Sequence, residues 1–262
     1  MHPMETQRYR LVVAYLGTNF LGWQRQDNAP SVQGEIEKAL FEVFGGPRIT
    51  VEGSGRTDAG VHASGQVAHI DLRPSIPSDN LLKALNHNLP QTVRILSTQR
   101  VPNTFHSRKS SKGKKYVYRM RWDGAPAIPP WRTLRTAQIR PPKNPDLMTK
   151  LVSLFQGRRD WAPFTVIDPV TRTTVRTIVS AKTSPASHGL HLEFVGDGFL
   201  RYQIRRMVGA LLQVGWGKFD RAWLETLLAS PRHVPDVYTA PAEGLTMEKV
   251  YFGRLPPLST DD

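Results

Sequence analysis

The chain has 262 residues and no cysteine, which excludes a disulfide scaffold, a thiol nucleophile, a cysteine-ligated zinc site and an iron–sulfur cluster. Thirty-five Lys and Arg against 22 Asp and Glu give a net charge of +13, which favours a polyanionic partner. The alternative is that the positive charge serves only to keep the chain soluble. The length suits one large domain or two ordinary ones.

The N-terminal residues 1–5 have neither the basic nor the apolar region of a secretory signal, and they predict a short tail. The longest mostly apolar run, 207–216, is shorter than the ~18 residues of a membrane span. We therefore expect a soluble protein, and the lack of cysteine favours the reducing cytoplasm as its location.

The first part of the chain alternates between strand and helix patterns. A β-branched and aromatic strand, 9–15, precedes a helix that Ser31 caps and Gly45 ends. Short strands at 49–53 and 66–72 flank a glycine-rich turn, and a second helix, capped by Ser78, stops at Pro90 before a strand at 93–101. This order predicts a ferredoxin-like half with an antiparallel sheet and both helices on one face.

The second part predicts a related half. We expect a strand at 115–121, an irregular proline-rich connection at 126–145, a helix at 146–155 and an antiparallel strand pair at 173–181 and 189–195. Helices at 199–214 and 220–229 and a strand at 245–252 complete it. The prediction is an α+β fold of two ferredoxin-like or RRM-like halves, 1–104 and 105–262, with mixed, mainly antiparallel sheets side by side around a central basic cleft.

The glycine-rich loop from Gly53 to Ala63, with the sequence GSGRTDAGVHA, is the most informative stretch. It opens like a dinucleotide fingerprint, but Asp58 stands where the third glycine belongs and no helical period follows. A tight loop remains, with one acid between Arg56 and His62. Asp58 either carries chemistry or bonds its own backbone in an Asx turn.

Two basic clusters follow. Seven cations and no acid lie between Arg108 and Arg121, interleaved with Tyr116 and Tyr118, which suits looped RNA but also a solvated strand with core tyrosines. Farther on, Arg201 and Arg205 share a helical face, and Arg206 points about 100° away. An arginine among apolar neighbours needs an anionic partner, either a phosphate or a distant acid. The eight histidines show no metal-ligand spacing, and the acids are too scattered for a two-metal nuclease.

The chain resembles the tRNA pseudouridine synthase A family. The resemblance rests on YLGTNFLGWQRQ at 15–26, SVQGEIE at 31–37, the GRTDAGVHA loop, FHSR at 105–108, KYVY at 115–118, the arginine helix and PAEGL at 241–245. Leu16 departs from the pattern, because the family usually has Asp there.

The resemblance implies a homodimer that converts uridine to pseudouridine at positions 38, 39 and 40 of the tRNA anticodon arm, with no cofactor and no metal. Asp58 is then the essential acid, Tyr116 packs against the target uracil, Arg205 keeps Asp58 ionised through a buried ion pair, and Arg56 takes the place of the flipped base. We assign the remaining tRNA contacts to His62, Arg108, Lys109, Lys112, Lys114, Lys115, Arg201 and Leu245. The alternatives are a non-catalytic RNA-binding module and an RNA-cleaving enzyme.

Overall fold

The computed structural model describes residues 6–73, 75–166, 173–230, 232, 234 and 236–257. The chain divides into two compact units: unit 1 comprises Met1–Ser111 and Met247–Phe252, and unit 2 comprises Lys112–Thr246 and Gly253–Asp262. The predicted tail, residues 1–5, lies outside the described residues, and the domain boundary after residue 104 stays a prediction. None of the helices in the described ranges has the length and apolar character needed to cross a bilayer.

Unit 1 has the predicted alternation of strands and helices. Its elements are β1 (Gln7–Tyr15), α1 (Val32–Phe44), β2 (Glu52–Gly53), β3 (His62–Leu72), α2 (Ser78–Asn88) and β4 (Val93–Val101). The order across the sheet is β4-β1-β3-β2, and each of these pairs is antiparallel. This is the ferredoxin-like arrangement that the sequence predicts.

The last strand, β10 (Leu245–Tyr251), contributes Met247–Tyr251 to unit 1. It runs beside β3 so closely that a Cβ on Gly65 would lie 2.2 Å from the Glu248 carbonyl oxygen. Only glycine permits this approach.

The helix ends of unit 1 follow local chemistry with one exception. Ser31 caps α1 by accepting a hydrogen bond from the Gly34 N–H at 3.2 Å, and Gly45 ends the helix with a φ of 61°. The predicted cap of α2 is wrong, because Pro77 occupies the N-cap and Ser78 is already helical. The Ser78 carbonyl accepts from the Thr98 hydroxyl at 2.6 Å, so α2 is joined to β4 at this end. Strand β2 is also shorter than predicted.

Unit 2 has a similar order of strands and helices. They are β5 (Gly113–Trp122), α3 (Pro130–Thr133), β6 (Ala137–Ile139), α4 (Pro145–Leu151), β7 (Gly157–Asp160), β8 (Val175–Ala186), β9 (Gly189–Gly196), α5 (Gln203–Gly215) and α6 (Arg221–Ala229). The order β5-β9-β8 repeats β1-β3-β2, and β7 extends it beyond β8. Strand β6 pairs with β5 in parallel, so the predicted mixed, mainly antiparallel α+β class is confirmed.

Three predictions for unit 2 are wrong in detail. The connection 126–145 is not irregular throughout, since it contains α3 and β6, and β7 was not predicted. The helix predicted at 146–155 becomes a 3₁₀ turn from Val152 onward. Helix α5 begins at Gln203 instead of residue 199, because Tyr202 adopts a left-handed backbone with a φ of 60°. A left-handed residue does not continue a right-handed helix.

Candidate active-site loop and its basic and aromatic surroundings

The loop that carries Asp58 connects β2 to β3 in unit 1, as the sequence predicts. Asp58 is half-buried, and its carbonyl accepts a hydrogen bond from the Val61 N–H at 3.1 Å. Gly60 makes this turn with a φ of 79°, a conformation that favours glycine. The turn returns the chain directly into β3.

Hydrogen bonds hold the segment before Asp58 from several directions. The hydroxyls of Tyr15 and Thr57 share a hydrogen bond of 2.8 Å, and burial raises the pKa of Tyr15, which keeps the phenol neutral. The Thr57 carbonyl accepts from the Trp23 N–H at 3.2 Å. On the β3 side, the Gln66 amide donates to the Gly55 carbonyl at 2.8 Å. The position of the acid is therefore fixed by its neighbours on both sides.

Two glycines of the 15–26 segment lie directly against this loop. A Cβ on Gly22 would lie 2.4 Å from the Thr57 carbonyl oxygen, and a Cβ on Gly17 would lie 2.1 Å from that of Val61. Gly22 also has a φ of 94°. The loop and the opening motif thus form one packed substructure, which explains why glycine occurs at both places.

The two other polar side chains of the loop differ in exposure. Arg56 is exposed, and its Nε donates to the Gln24 side-chain carbonyl at 3.2 Å. His62 is fully buried, and its Nδ1 accepts the Gly17 N–H at 3.0 Å. This bond makes His62 a support of the loop, and a direct contact with RNA stays a prediction.

In unit 2, Tyr116 and Tyr118 lie on one face of β5 and are buried. Tyr116 is 6% exposed, and its ring meets Phe199 edge-on with 5.2 Å between ring centres. Tyr118 is fully buried and donates its hydroxyl to the Pro241 carbonyl at 3.0 Å. Burial raises the pKa of Tyr118, so its phenol stays protonated. Packing accounts for Tyr118, whereas Tyr116 keeps a small accessible edge.

The arginine cluster surrounds an aromatic residue that sequence reasoning missed. The guanidinium carbons of Arg201 and Arg205 lie 5.0 and 5.2 Å from the centre of the Tyr202 ring. Arg205 is half-buried, and its Nε donates to the Ala240 carbonyl at 2.8 Å. Tyr202 can be found in the sequence only as an aromatic residue among arginines.

Arg206 has a structural place in unit 2. It is 5% exposed and donates to the backbone carbonyls of Pro163, at 3.2 Å, and Val234. Burial lowers the pKa of Arg206. Backbone carbonyls thus compensate part of the positive charge of Arg206, for which the sequence predicts a phosphate or an acid as partner.

The predicted basic segment differs along its length. Arg108 and Lys109 in unit 1 and Lys112 in unit 2 are exposed, whereas Lys114 and Lys115 are half-buried. The Lys115 ammonium lies 2.6 Å from a carboxylate oxygen of Glu193, so its charge already has a partner.

Two neighbours of the basic segment help to fix its surroundings. Ser107 is fully buried, donates to the Glu52 carbonyl at 2.6 Å and lies 3.0 Å from Nδ1 of His69. Leu245, predicted to contact substrate, is 5% exposed at the start of β10. A Cβ on the preceding Gly244 would lie 2.6 Å from the Tyr118 ring, so this turn packs closely on the aromatic face of β5.

The fold and the loop define a class of α+β protein in which a ferredoxin-like unit holds one carboxylate on a rigid turn. Comparison with known proteins identifies one specific family. The family model for tRNA pseudouridine synthase matches residues 11–108 and 151–253.

Related proteins align with this chain over almost the full length of both sequences. A tRNA pseudouridine synthase A of Maridesulfovibrio salexigens is 39% identical over 95% of this chain and 91% of its own length. One of Latilactobacillus sakei is 38% identical over 94% and 99%, and one of Geobacillus kaustophilus is 37% identical over 94% and 95%. The chain belongs to the tRNA pseudouridine synthase family, and it is an isomerase that acts on tRNA uridines.

Proposed function

We propose that this enzyme converts uridine to pseudouridine at positions 38, 39 and 40 of the tRNA anticodon arm, in the cytoplasm and as a homodimer. The observation that carries the proposal is that hydrogen bonds from neighbouring segments fix the loop in which Asp58 is the acid. The near end-to-end match to tRNA pseudouridine synthases A supports the reaction, and the resemblance of the motifs supports the anticodon arm.

The reaction needs one carboxylate and no redox change. The N1–C1′ bond breaks, the uracil turns, a C5–C1′ bond forms, and the C5 proton is lost while N1 gains one. Asp58 either attacks C1′ or removes a proton from C2′, and both routes leave the atoms of substrate and product equal in number. A cofactor has no step to perform in this balance.

The base must leave its stack before the acid can reach the sugar, at a cost of a few kcal/mol. We propose that Arg56 takes the vacated place in the stack, because it is exposed on the same loop. Tyr116 packs against the turned uracil. The contacts with tRNA phosphates come from Arg108, Lys109, Lys112, Lys114, Lys115 and Arg201, while His62 and Leu245 shape the site.

Replacement of the acid tests the proposal. In tRNA tritiated at uridine C5, wild-type enzyme should release tritium to water and leave the RNA intact on a denaturing gel. Asp58→Asn should keep tRNA affinity and lose at least about a hundredfold in release rate, because general acid–base or covalent roles have this size. Asp27→Asn, at an exposed acid of the same unit, is the matched control.

Release by Asp58→Asn within tenfold of wild type would contradict the role of Asp58. A wild-type chain that binds tRNA without release would be an RNA-binding module, and cleaved tRNA would indicate a nuclease.

The proposed role of Arg205 is to hold the Asp58 carboxylate in its ionised form. A guanidinium orients both oxygens of a carboxylate, whereas lysine supplies only a point charge. Arg205→Lys should therefore lower the release rate. Arg205→Met should also lower the free energy of unfolding, since a carboxylate is left without its counter-charge.

Combining Arg205→Met with Asp58→Asn should restore much of that stability in urea titrations. Strictly additive losses in the double variant would show that the two side chains do not interact.

A further inference from the structure

The segment 124–144 of unit 2 carries an exposed charge pattern that the proposed reaction does not use. It contains four cations and no acid between Asp123 and Asp146. All four are exposed, and no ion pair is recorded for them among the described residues: Arg132, Arg135, Arg140 and Lys143. A strip of this kind repels other cations and attracts a polyanion.

Contacts with neighbouring elements fix the backbone of this segment at Asp123 and from 137 to 144. Strand β6 pairs with β5, and the Asp123 N–H donates to the Ile139 carbonyl at 2.9 Å. The indole N–H of Trp216 donates to the Arg140 carbonyl at 2.9 Å, and the Asn144 N–H donates to that of Gly215 at 3.1 Å. A surface held in this way binds with little loss of conformational entropy.

Aromatic side chains accompany the charges. Trp131 in α3 is 69% exposed, more than any other large hydrophobic residue of the described chain. A cavity of about 320 Å³ opens beside β6, lined by Asp123, Gln138, Ile139, Arg140, Trp216 and Tyr238. The rings of Trp216 and Tyr238 lie 5.5 Å apart at 59°, with charged and amide groups on the same lining. We call this cavity the Trp216 pocket.

An aromatic wall combined with hydrogen-bond donors and acceptors suits an unpaired nucleobase, which stacks through its face and bonds through its edge. The volume is at the small end for ligand pockets and fits a group of this size. Asp123 follows the end of β5, seven residues beyond Tyr116, or about 23 Å along an extended strand. The pocket is therefore remote from the ring that we assign to the target uracil.

We propose that the 124–144 segment and the Trp216 pocket form an accessory tRNA-binding surface. The four exposed cations contact phosphates, Trp131 stacks on one unpaired base, and the Trp216 pocket receives another. This inference rests on the proposed tRNA substrate, and it adds a second place at which unit 2 holds that substrate.

The test measures the dissociation constant of an unmodified tRNA transcript for the full chain over a range of salt concentrations. Trp131→Ala and Tyr238→Ala should each weaken binding about tenfold with an unchanged salt slope, because stacking is not ionic. The pair Arg132→Gln and Arg135→Gln should lower the slope of log affinity against log salt by about 1.4 to 1.8, the contribution of two phosphates. Phe41→Ala and Arg221→Gln, at exposed positions elsewhere, should change neither quantity.

Unchanged affinity and slope in these variants would overturn the inference while tritium release by the wild type still upheld the proposed reaction. Sedimentation of each variant separates another explanation. If Trp131→Ala changes the oligomeric state and the paired arginine variant leaves the salt slope intact, the surface is a protein interface and the inference is wrong.

Discussion

At the scale of single residues, burial decides which titratable groups respond to pH, and His69 is the clearest case. It is 5% exposed, with Nδ1 3.0 Å from the Ser107 hydroxyl. Burial lowers the pKa of His69, and the nearby charges of Arg8 and His106 lower it further, outweighing the opposite effects of Asp71 and Glu52. The folded protein therefore holds His69 neutral at pH values where an unfolded histidine takes a proton.

The sign of the resulting pH dependence follows from proton linkage. Below the ordinary histidine pKa of 6.5 the unfolded chain binds more protons than the folded chain, so stability falls as the pH falls. In urea titrations at pH 7.5 and 5.5, His69→Gln should lose less stability on acidification than the wild type. His87→Gln, at an exposed position in α2, should behave like the wild type, and an equal loss in all three proteins would refute the assignment.

Single residues of the loop also differ in their environment, as His62 and Asp58 show, although they lie only four positions apart in the sequence. Both flank a turn, yet His62 is fully buried against the Gly17 N–H and Asp58 is half-buried. Residue types and spacing reveal the two polar groups, but their exposure depends on β1 and the 15–26 segment packing over the loop. The sequence therefore predicted the place of the site better than the function of each side chain.

At the scale of elements, the loop between β2 and β3 owes its shape to a segment far from it in sequence. Gly22→Ala should push against the Thr57 carbonyl, next to Asp58, and should lower tritium release more than tRNA affinity. Gly45→Ala is a matched control, because Gly45 also has a positive φ but has open space around its missing Cβ. Both variants carry backbone strain, so comparable release rates would show that the close contact at Gly22 has no influence on the acid.

The elements that the sequence predicted well are those whose ends carry local signals, such as capping residues and terminal glycines. Helix α1 has a capping serine and a terminal glycine, and Asp220 caps α6 by accepting from the Trp223 N–H at 2.8 Å. The short strands β6 and β7 carry no such signals. They form because they pair with β5 and β8, and these partner strands come into position only when the sheet folds.

At the scale of the whole molecule, the net charge of +13 should make tRNA affinity strongly dependent on salt, with the largest contribution from the basic segment at 108–121. Log affinity should fall linearly with log salt, and Lys112→Ala combined with Lys114→Ala should flatten the line by up to about 1.8 units of slope. Lys38→Ala with Lys83→Ala, which removes the same charge from exposed positions on α1 and α2, should flatten it less. A slope that depends only on the total charge removed would argue against a localised contact.

The sequence by itself determined the order of the longer elements, the repeated β-α-β-β-α pattern and the loop that carries Asp58, because strand and helix periods, caps and glycines act over a few neighbouring residues. Tertiary structure alone decided the burial of His62, the left-handed start of α5 at Tyr202 and the accommodation of Arg206 by the Pro163 and Val234 carbonyls. The environments of His62 and Arg206 depend on residues distant in the chain, whose positions are set only when the hydrophobic core closes.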